Sequence, residues 1–335
     1  GQVMDLDIFE ALDVARAQAY WDYYDHARDH DLFLTYVIIN PQVDRSKAAS
    51  ELGNDDPMMK IVDEDAEGVT VRGAKMLGTS SIMANEVFVA HLQPLRPDEV
   101  DYAISFAIPM ATKGLKVLSR KSYEAHAVSE FDNPLAYRYD ENDAVMYFDD
   151  VKVPWERIFV HRDPDMCRRQ FHDTPGHIYQ NYQAQIRLTV KLKFLVGLAR
   201  AVCETIGTVS MPAVADSLGK MAAQAAAVKN MMWGMDAKGR QWGKYFVPDR
   251  HAVYAAQTLT QEYYPLMFNT LRELSGGAPI MLPSSVEDLQ SDELAEISKT
   301  VQHSADGRPA AERIKLMKLV LDAIHSEFAG RHTQY

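Results

Sequence analysis

The chain has 335 residues, 47% of them hydrophobic and 24% charged, and 47 Asp and Glu against 35 Lys and Arg give a formal net charge of -12. That length can bury a sizeable core in two or more domains, while the acidic balance excludes nucleic-acid binding through a basic face. Two cysteines, Cys167 and Cys203, exclude a disulfide framework and a CxxC site, and no apolar run reaches membrane-spanning length. The opening G-Q-V-M-D-L-D lacks the basic flank and apolar core of a signal peptide, so a soluble, cytoplasmic protein is expected.

From Asp5 to His30 the pattern is helical, with Phe9, Leu12, Ala15, Ala19 and Tyr23 recurring at three- and four-residue spacing. From Leu32 to about Pro154 short strands follow. Val69 and Val71 alternate with Thr70 and Arg72, and Tyr102, Ile104, Phe106 and Ile108 alternate with Ala and Ser. Turn signals fall at Gly53-Asn54, Gly68, Pro94, Pro97, Gly114 and Asn133-Pro134. After Trp155 helical segments are predicted over 178–206, 212–236, 250–274 and 307–329, separated by Gly and Pro breaks, and four such helices imply a bundle. The expected fold is α+β: a helical segment over 1–31, a central antiparallel β-domain or barrel over 32–158, and a C-terminal four-helix bundle over 159–335.

Within the strand region, the run F-L-T-Y-V-I-I-N-P-Q-V-D-R-S-K (33–47) ends its apolar stretch at Asn40-Pro41, in front of a cluster of polar side chains. Proline removes a backbone donor and breaks regular pairing, which frees neighbouring backbone groups to bond a ligand. The plainer reading is a polar strand exit. Residues alone leave both open. The histidines show no HxH or HExxH spacing, so no metal site is expected. His325 and His332, seven apart, would share one face of the last helix, and Leu282-Pro283-Ser284-Ser285 reads as a helix-stopping turn with a serine cap.

Seven strings, spread over nearly the whole chain, resemble the oxygenase-component family of 4-hydroxyphenylacetate 3-monooxygenase: L-T-Y-V-I-I-N-P-Q (34–42), G-A-K-M-L-G-T-S-S (73–81), D-E-N-D-A (140–144), F-D-D-V-K-V-P-W-E-R-I-F (148–159), R-L-T-V-K-L-K-F (187–194), L-P-S-S (282–285) and R-I-K-L-M-K-L-V-L-D-A-I-H-S-E-F-A-G-R-H (313–332). The resemblance implies an acyl-CoA-dehydrogenase-like fold and a two-component flavin enzyme. FAD would arrive reduced, as FADH2, from a separate reductase and react with O2 to a C4a-hydroperoxide that hydroxylates a phenol, free or carrier-tethered, at the ortho carbon. It also implies a homotetramer. Carried over from the family, Tyr36, Val37, Ile38, Gln42, Val43, Asp44, Arg45 and Thr79 would contact the cofactor. Tyr36, His91 and Leu92 would lie on the substrate side, and Tyr36 and Arg187 are the catalytic candidates, Arg187 at the start of a helix facing the cavity.

The chain departs from that pattern in two ways. Tyr36 stands where members acting on 4-hydroxyphenylacetate carry histidine, and a tyrosine hydroxyl is a poor general base at neutral pH. A string like D-G-R-x-V-Y, which grips substrate in relatives, does not occur, so the chain reads as a core lacking N- and C-terminal segments of the family. Two alternatives stand beside this reading: a truncated, non-catalytic homologue that keeps the assembly surfaces and, less favoured, a 4-hydroxybutyryl-CoA dehydratase-like enzyme, which shares the fold and some motifs but whose iron–sulfur cluster needs more cysteines than two.

Overall fold

The computed structural model describes residues 1–44, 46–53 and 56–334, so Arg45 and Asn54 of the expectations above lie outside it. The chain divides into two compact units, residues 1–121 with 141–177, and residues 122–140 with 178–335.

The first unit opens with α1 (Asp7–Glu10) and α2 (Val14–Asp29). Asp13 caps α2, its carboxylate accepting the Ala15 N–H at 2.8 Å. Eight strands follow: β1 (Leu34–Val37), β2 (Lys60–Asp65), β3 (Gly68–Lys75), β4 (Glu86–Val89), β5 (Ile104–Pro109), β6 (Leu115–Ser119), β7 (Ala144–Pro154) and β8 (Ile158–His161). They form two four-stranded sheets, ordered β1-β4-β5-β8 and β2-β3-β7-β6. One core cluster draws on both, with Val37, Val87, Phe106 and Ile158 from the first and Ile61, Val71, Met146 and Phe148 from the second. The β2–β3 hairpin turns through Ala66-Glu67, where the Asp65 carboxylate accepts the N–H groups of Glu67 and Gly68. A second cluster places Phe9, Ala17, Tyr20 and Tyr23 of the helices against Ala107, Phe159 and Val160.

One pairing departs from the antiparallel expectation. β1 runs parallel to β4, from Leu34 opposite Glu86 to Val37 opposite Val89, and forms the edge of its sheet. Two parallel neighbours leave a sheet at the same end. Residues 38–44 and 90–92 therefore exit side by side.

The second unit takes in α3 (Pro134–Tyr139), while α4 (Pro164–His172) belongs to the first. The long helices are α5 (Gly176–Ile206), α6 (Pro212–Ala237) and α7 (Arg250–Ser275); after a short β9–β10 hairpin (Arg240–Trp242, Tyr245–Val247) before α7 come α8 (Asp292–Val301), α9 (Ala310–Ile324) and α10 (Glu327–Gln334). Leu192, Leu195 and Leu198 of α5, Met221 and Val228 of α6, Met267 and Leu271 of α7, and Met317 and Val320 of α9 fill the bundle core. Asp322, on the buried face of α9, accepts the N–H groups of Leu135 and Ala136 at 2.7 and 2.9 Å, which satisfies two free donors at the start of α3. Among the described residues no helix is long and apolar enough to cross a membrane.

Several local expectations change. Asn133-Pro134 opens α3, with proline at a first-turn position where its missing N–H costs nothing. The helix expected over 307–329 breaks at His325, because the Ser326 hydroxyl donates back to the Asp322 carbonyl at 2.8 Å and accepts the Ala329 N–H, starting a new helix. His325 and His332 thus do not share one helix face. Arg187 does not open a helix; it sits in the middle of the 31-residue α5. Ser285 caps a short turn through the Glu287 N–H, in keeping with the serine-cap reading.

Candidate active site

The alternation of β1 turns Thr35 and Val37 inward and leaves Tyr36 on the outer face, 43% exposed. Past the strand, Ile38 is buried and Ile39 is held against Met76, whose N–H reaches the Ile39 carbonyl at 2.8 Å. Gln42, Val43 and Asp44 are exposed. Asp44 shapes the turn, its carboxylate accepting the N–H and hydroxyl of Ser46 at 3.1 and 2.6 Å, and those bonds hold its carboxyl below the ordinary value. The side chains of Val37 and Ile38 lie in the core, so only their backbone is available to a ligand. Arg45 is outside the described residues.

Where the parallel strands end, Asn40, Lys75 and His91 meet in the interior. Lys75 is fully buried, and its ammonium donates to Asn40 Oδ1 at 2.7 Å and to His91 Nδ1 at 3.3 Å. Asn40 Nδ2 reaches Met58 Sδ at 3.3 Å. Burial lowers the Lys75 pKa to about 7, against a small opposing effect of Cys167. Burial and then the neighbouring Lys75 hold His91 well below its ordinary value, so the ring is neutral, accepts at Nδ1 and carries its proton on Nε2. The Cys167 thiol is pushed up to about 12, chiefly by burial. His91, expected on the substrate side, therefore faces Lys75 from a buried position, while Leu92 is half-buried.

Thr79 lies in a tightly specified turn. Leu77 and Ser80, on either side, both adopt left-handed backbone, with φ of 66° and 57°. Such strain in non-glycine residues persists only where the surroundings enforce it, and it concentrates at functional sites. The enforcing groups come from D-E-N-D-A. The Gly78 N–H donates to the Ala144 carbonyl at 2.9 Å and the Ser80 N–H to the Asn142 carbonyl at 2.8 Å. Asn142 Nδ2 reaches the hydroxyls of Ser81 and Ser119. Thr79 Oγ1 donates to Asp143 Oδ1 at 2.9 Å, and the other carboxylate oxygen takes Arg120 Nε at 3.2 Å. Thr35 Oγ1, from β1, donates to the Thr79 carbonyl at 2.6 Å. The structure thus joins the Thr79 turn to β1 directly.

Around this junction the first unit exposes large apolar side chains: Phe33, Leu34 and Tyr36 on β1 and its approach, and Leu77, Ile82 and Met83 around the turn, the last two 68% and 57% exposed. Exposed apolar side chains that gather on a strand and the turn bonded to it mark a candidate ligand or interaction site. With Thr79 bonded to β1 beside it, this face offers what a flat apolar ring with a polar edge requires. Asn142, Asp143 and Lys75 were not singled out from the sequence. The D-E-N-D-A string was the available signal for the first two.

Arg187 belongs to the second unit. It lines a cavity of about 350 Å³ with Gln185, Lys191, Thr260, Tyr264 and His332, from α5, α7 and α10. Thr260 Oγ1 donates to Gln185 Oε1 at 3.2 Å, and Lys191 Nζ to His332 Nδ1 at 3.1 Å. Burial raises the Tyr264 hydroxyl pKa. The cavity is polar and rich in donors, suited to a group bearing oxygen acceptors.

Comparisons with known proteins bear on both units. Models of the 4-hydroxyphenylacetate 3-hydroxylase N-terminal and C-terminal regions match residues 2–160 and 167–335. The oxygenase component of 4-hydroxyphenylacetate 3-monooxygenase from Pseudomonas aeruginosa is 33% identical over 323 residues, covering 93% of this chain and 61% of its own length. A Streptomyces globisporus monooxygenase of a peptidyl-carrier-protein-bound 3-amino-3-(3-chloro-4-hydroxyphenyl)propanoyl group is 31% identical, over 93% of this chain and 60% of that protein. The crystal structure of a 4-hydroxyphenylacetate 3-monooxygenase oxygenase component, complexed with FAD and 4-hydroxyphenylacetate, superimposes with a TM-score of 0.93 at 28% identity, covering 99% of this chain and 68% of that one. The chain thus spans about three fifths of the length of the curated relatives compared here.

Proposed function

This chain belongs to the 4-hydroxyphenylacetate 3-hydroxylase family, and from that premise we propose that it is the core of the oxygenase component of a two-component monooxygenase. Its substrates would be a phenol, O2 and reduced FAD delivered by a separate reductase. Its products would be the ortho-hydroxylated phenol, water and oxidised FAD: one oxygen atom enters the ring, and the other leaves as water with the two flavin electrons and two protons. Reduced FAD, when bound, supplies the electrophilic oxygen that no side chain can.

The protein's part is to bind, orient and keep water out. The observation that carries this reading is the exposed apolar face of β1 beside the strained Thr79 turn. Tyr36, Leu77 and Met83 would pack against the flavin ring, and Thr79 and Gln42 would meet its polar edge. The backbone of Val37 and Ile38, with Val43, Asp44 and Arg45, would follow the ribityl-phosphate arm. Tyr36, projecting outward, would hydrogen-bond the phenol rather than act as its base, which favours a substrate other than 4-hydroxyphenylacetate itself. His91 would act on the substrate side only through the loop it anchors, with Leu92 nearer the ligand. Arg187 stays the second catalytic candidate through its own donor-rich cavity in the second unit, suited to a group that carries negative charge. In this reading residues 32–158 carry flavin and substrate, and 159–335 mediate assembly into a homotetramer.

The test is anaerobic titration of the 335-residue protein with FADH2, followed by oxygenated buffer and a panel of phenols, some free and some attached to a carrier protein. Tight FADH2 binding and a catechol product support the reading. Absence of flavin binding would reduce the chain to a homologue that keeps the fold without the chemistry.

A further inference from the structure

A threonine hydroxyl has one hydrogen and two lone pairs. In this structure the hydrogen of Thr79 is committed, since Oγ1 donates to Asp143 Oδ1 at 2.9 Å. Asp143 cannot return one, because its second oxygen is held by the Arg120 guanidinium at 3.2 Å, which keeps the group a carboxylate and an acceptor only. The pair is largely shielded from solvent, with side-chain exposures of 20% for Arg120 and 16% for Asp143. Arg120 is itself anchored by donating to the Glu141 carbonyl. The strained turn and the Thr35 bond to the Thr79 carbonyl fix where Oγ1 points. Whatever further group approaches Oγ1 can therefore only donate to it.

We propose that Asp143 is a positioning residue that sets the hydrogen-bond polarity of Thr79, making it an obligate acceptor and so biasing the site toward reduced flavin. This rests on the placement of the flavin edge at Thr79 proposed above. The ring nitrogen N5 carries a hydrogen in reduced flavin and a bare lone pair in the oxidised form. An obligate acceptor bonds the first and opposes the second. A neutral hydrogen bond gained on one side, with lone-pair opposition on the other, corresponds to roughly tenfold or more in relative affinity.

The decisive variant is Asp143→Asn. Arg120 still demands an acceptor, so it retains the amide oxygen and the amide NH2 turns to Thr79. Thr79 must then accept from it, and its own hydrogen is no longer committed to residue 143. Dissociation constants for oxidised FAD and for dithionite-reduced FAD are measured anaerobically on the full 335-residue chain. The expected result is a fall of about tenfold or more in the oxidised-to-reduced Kd ratio, equivalent to a shift of about 30 mV in the bound two-electron couple. A second variant, Thr79→Val, removes acceptor and opposition together without relying on the Asp143–Arg120 pair; it should bring the ratio toward one, while Thr79→Ser keeps the wild-type ratio. A merely structural role would weaken both redox forms equally and leave the ratio unchanged. That result in Asp143→Asn and Thr79→Val overturns the polarity assignment while the flavin reading stands. Failure of the wild-type chain to bind either form of FAD overturns both.

Discussion

Lys318 and Asp132 form an ion pair inside the second unit, exposed by only 6% and 4%. The ammonium faces Asp132 Oδ1 at 3.0 Å as a charge contact and donates to the Ser284 carbonyl at 3.0 Å. Asp132 Oδ2 accepts the Ser129 hydroxyl at 2.6 Å and the Val286 N–H at 3.2 Å. One side chain of α9 thus ties the turn before α3 to the turn after Leu282. Lys318→Met keeps the aliphatic stem and removes the charge, leaving a buried carboxylate without its cation. Breaking a buried pair from one side costs about 3–5 kcal/mol, more than the pair itself contributes, because the remaining charge cannot rehydrate. For a unit of this size that is a fall in Tm of roughly 6–20 °C. Adding Asp132→Asn, which removes the stranded charge and keeps an acceptor for Ser129 and Val286, should recover at least about 1 kcal/mol. The pH dependence supplies a second signature. Burial raises the Asp132 pKa, but the Ser129 hydroxyl, Lys318 and the Val286 N–H outweigh it and leave it below 3.8. A depressed carboxyl stabilises the fold above its unfolded value, and that contribution disappears as pH falls through the folded one. Urea unfolding of wild type and Lys318→Met should therefore differ most at neutral pH and converge below about pH 4. A neutral-pH difference under about 1 kcal/mol, with parallel pH profiles, would refute this account of the pair.

Lys75 has the opposite sign. Its folded pKa of about 7 against an ordinary 10.5 means the unfolded chain binds the proton more tightly between those values, so the charging penalty is full below pH 7 and is relieved as pH rises toward 10.5. The stability of wild type relative to Lys75→Met should climb with pH across that window, with a slope of up to about 1.4 kcal/mol per unit. Urea unfolding at pH 6, 8 and 10 reads it, and a constant difference would contradict a buried, titrating lysine. Gly73, opposite the bulge in β7 and with φ of +115°, would drive a Cβ into the Met58 carbonyl oxygen. Gly73→Ala should cost more than about 2 kcal/mol, whereas Gly219→Ala, in an open stretch of α6, should stabilise by up to about 1 kcal/mol. Equal effects in thermal melts would sink the backbone argument.

The order of helix, strands and bundle was legible because it is written in local periodicity, and α5, α6 and α7 begin and end within two residues of the expected bounds. The parallel pairing of β1 with β4 was not legible, since a four-residue apolar run carries no information about its partner. The last helix contains no proline or glycine near His325, and its break comes from a serine hydroxyl whose role depends on the turn it joins. By contrast, α8 carried a readable signature, Ser291 followed by Asp292 and Glu293 with Lys299 in the last turn, that periodicity alone passed over. Thr79 is singled out by its string. Asp143 was in an equally visible string, but a hydrogen bond between residues 64 apart gives no local mark. Lys75 shares the inward parity of Val69 and Val71 on β3, but nothing local in G-A-K-M-L marks that an interior amide, Asn40, receives its ammonium.

Both native thiols are shut away: Cys167 is 1% exposed and Cys203 not at all, and burial raises the pKa of each. Alkylating reagents attack the thiolate, so the native surface offers them almost nothing. A single cysteine introduced at Ser46, on the exposed turn after Asp44, would accordingly take a maleimide fluorophore with little background and no need for a thiol-free parent. Its emission would then report, in real time, whenever something settles beside that turn.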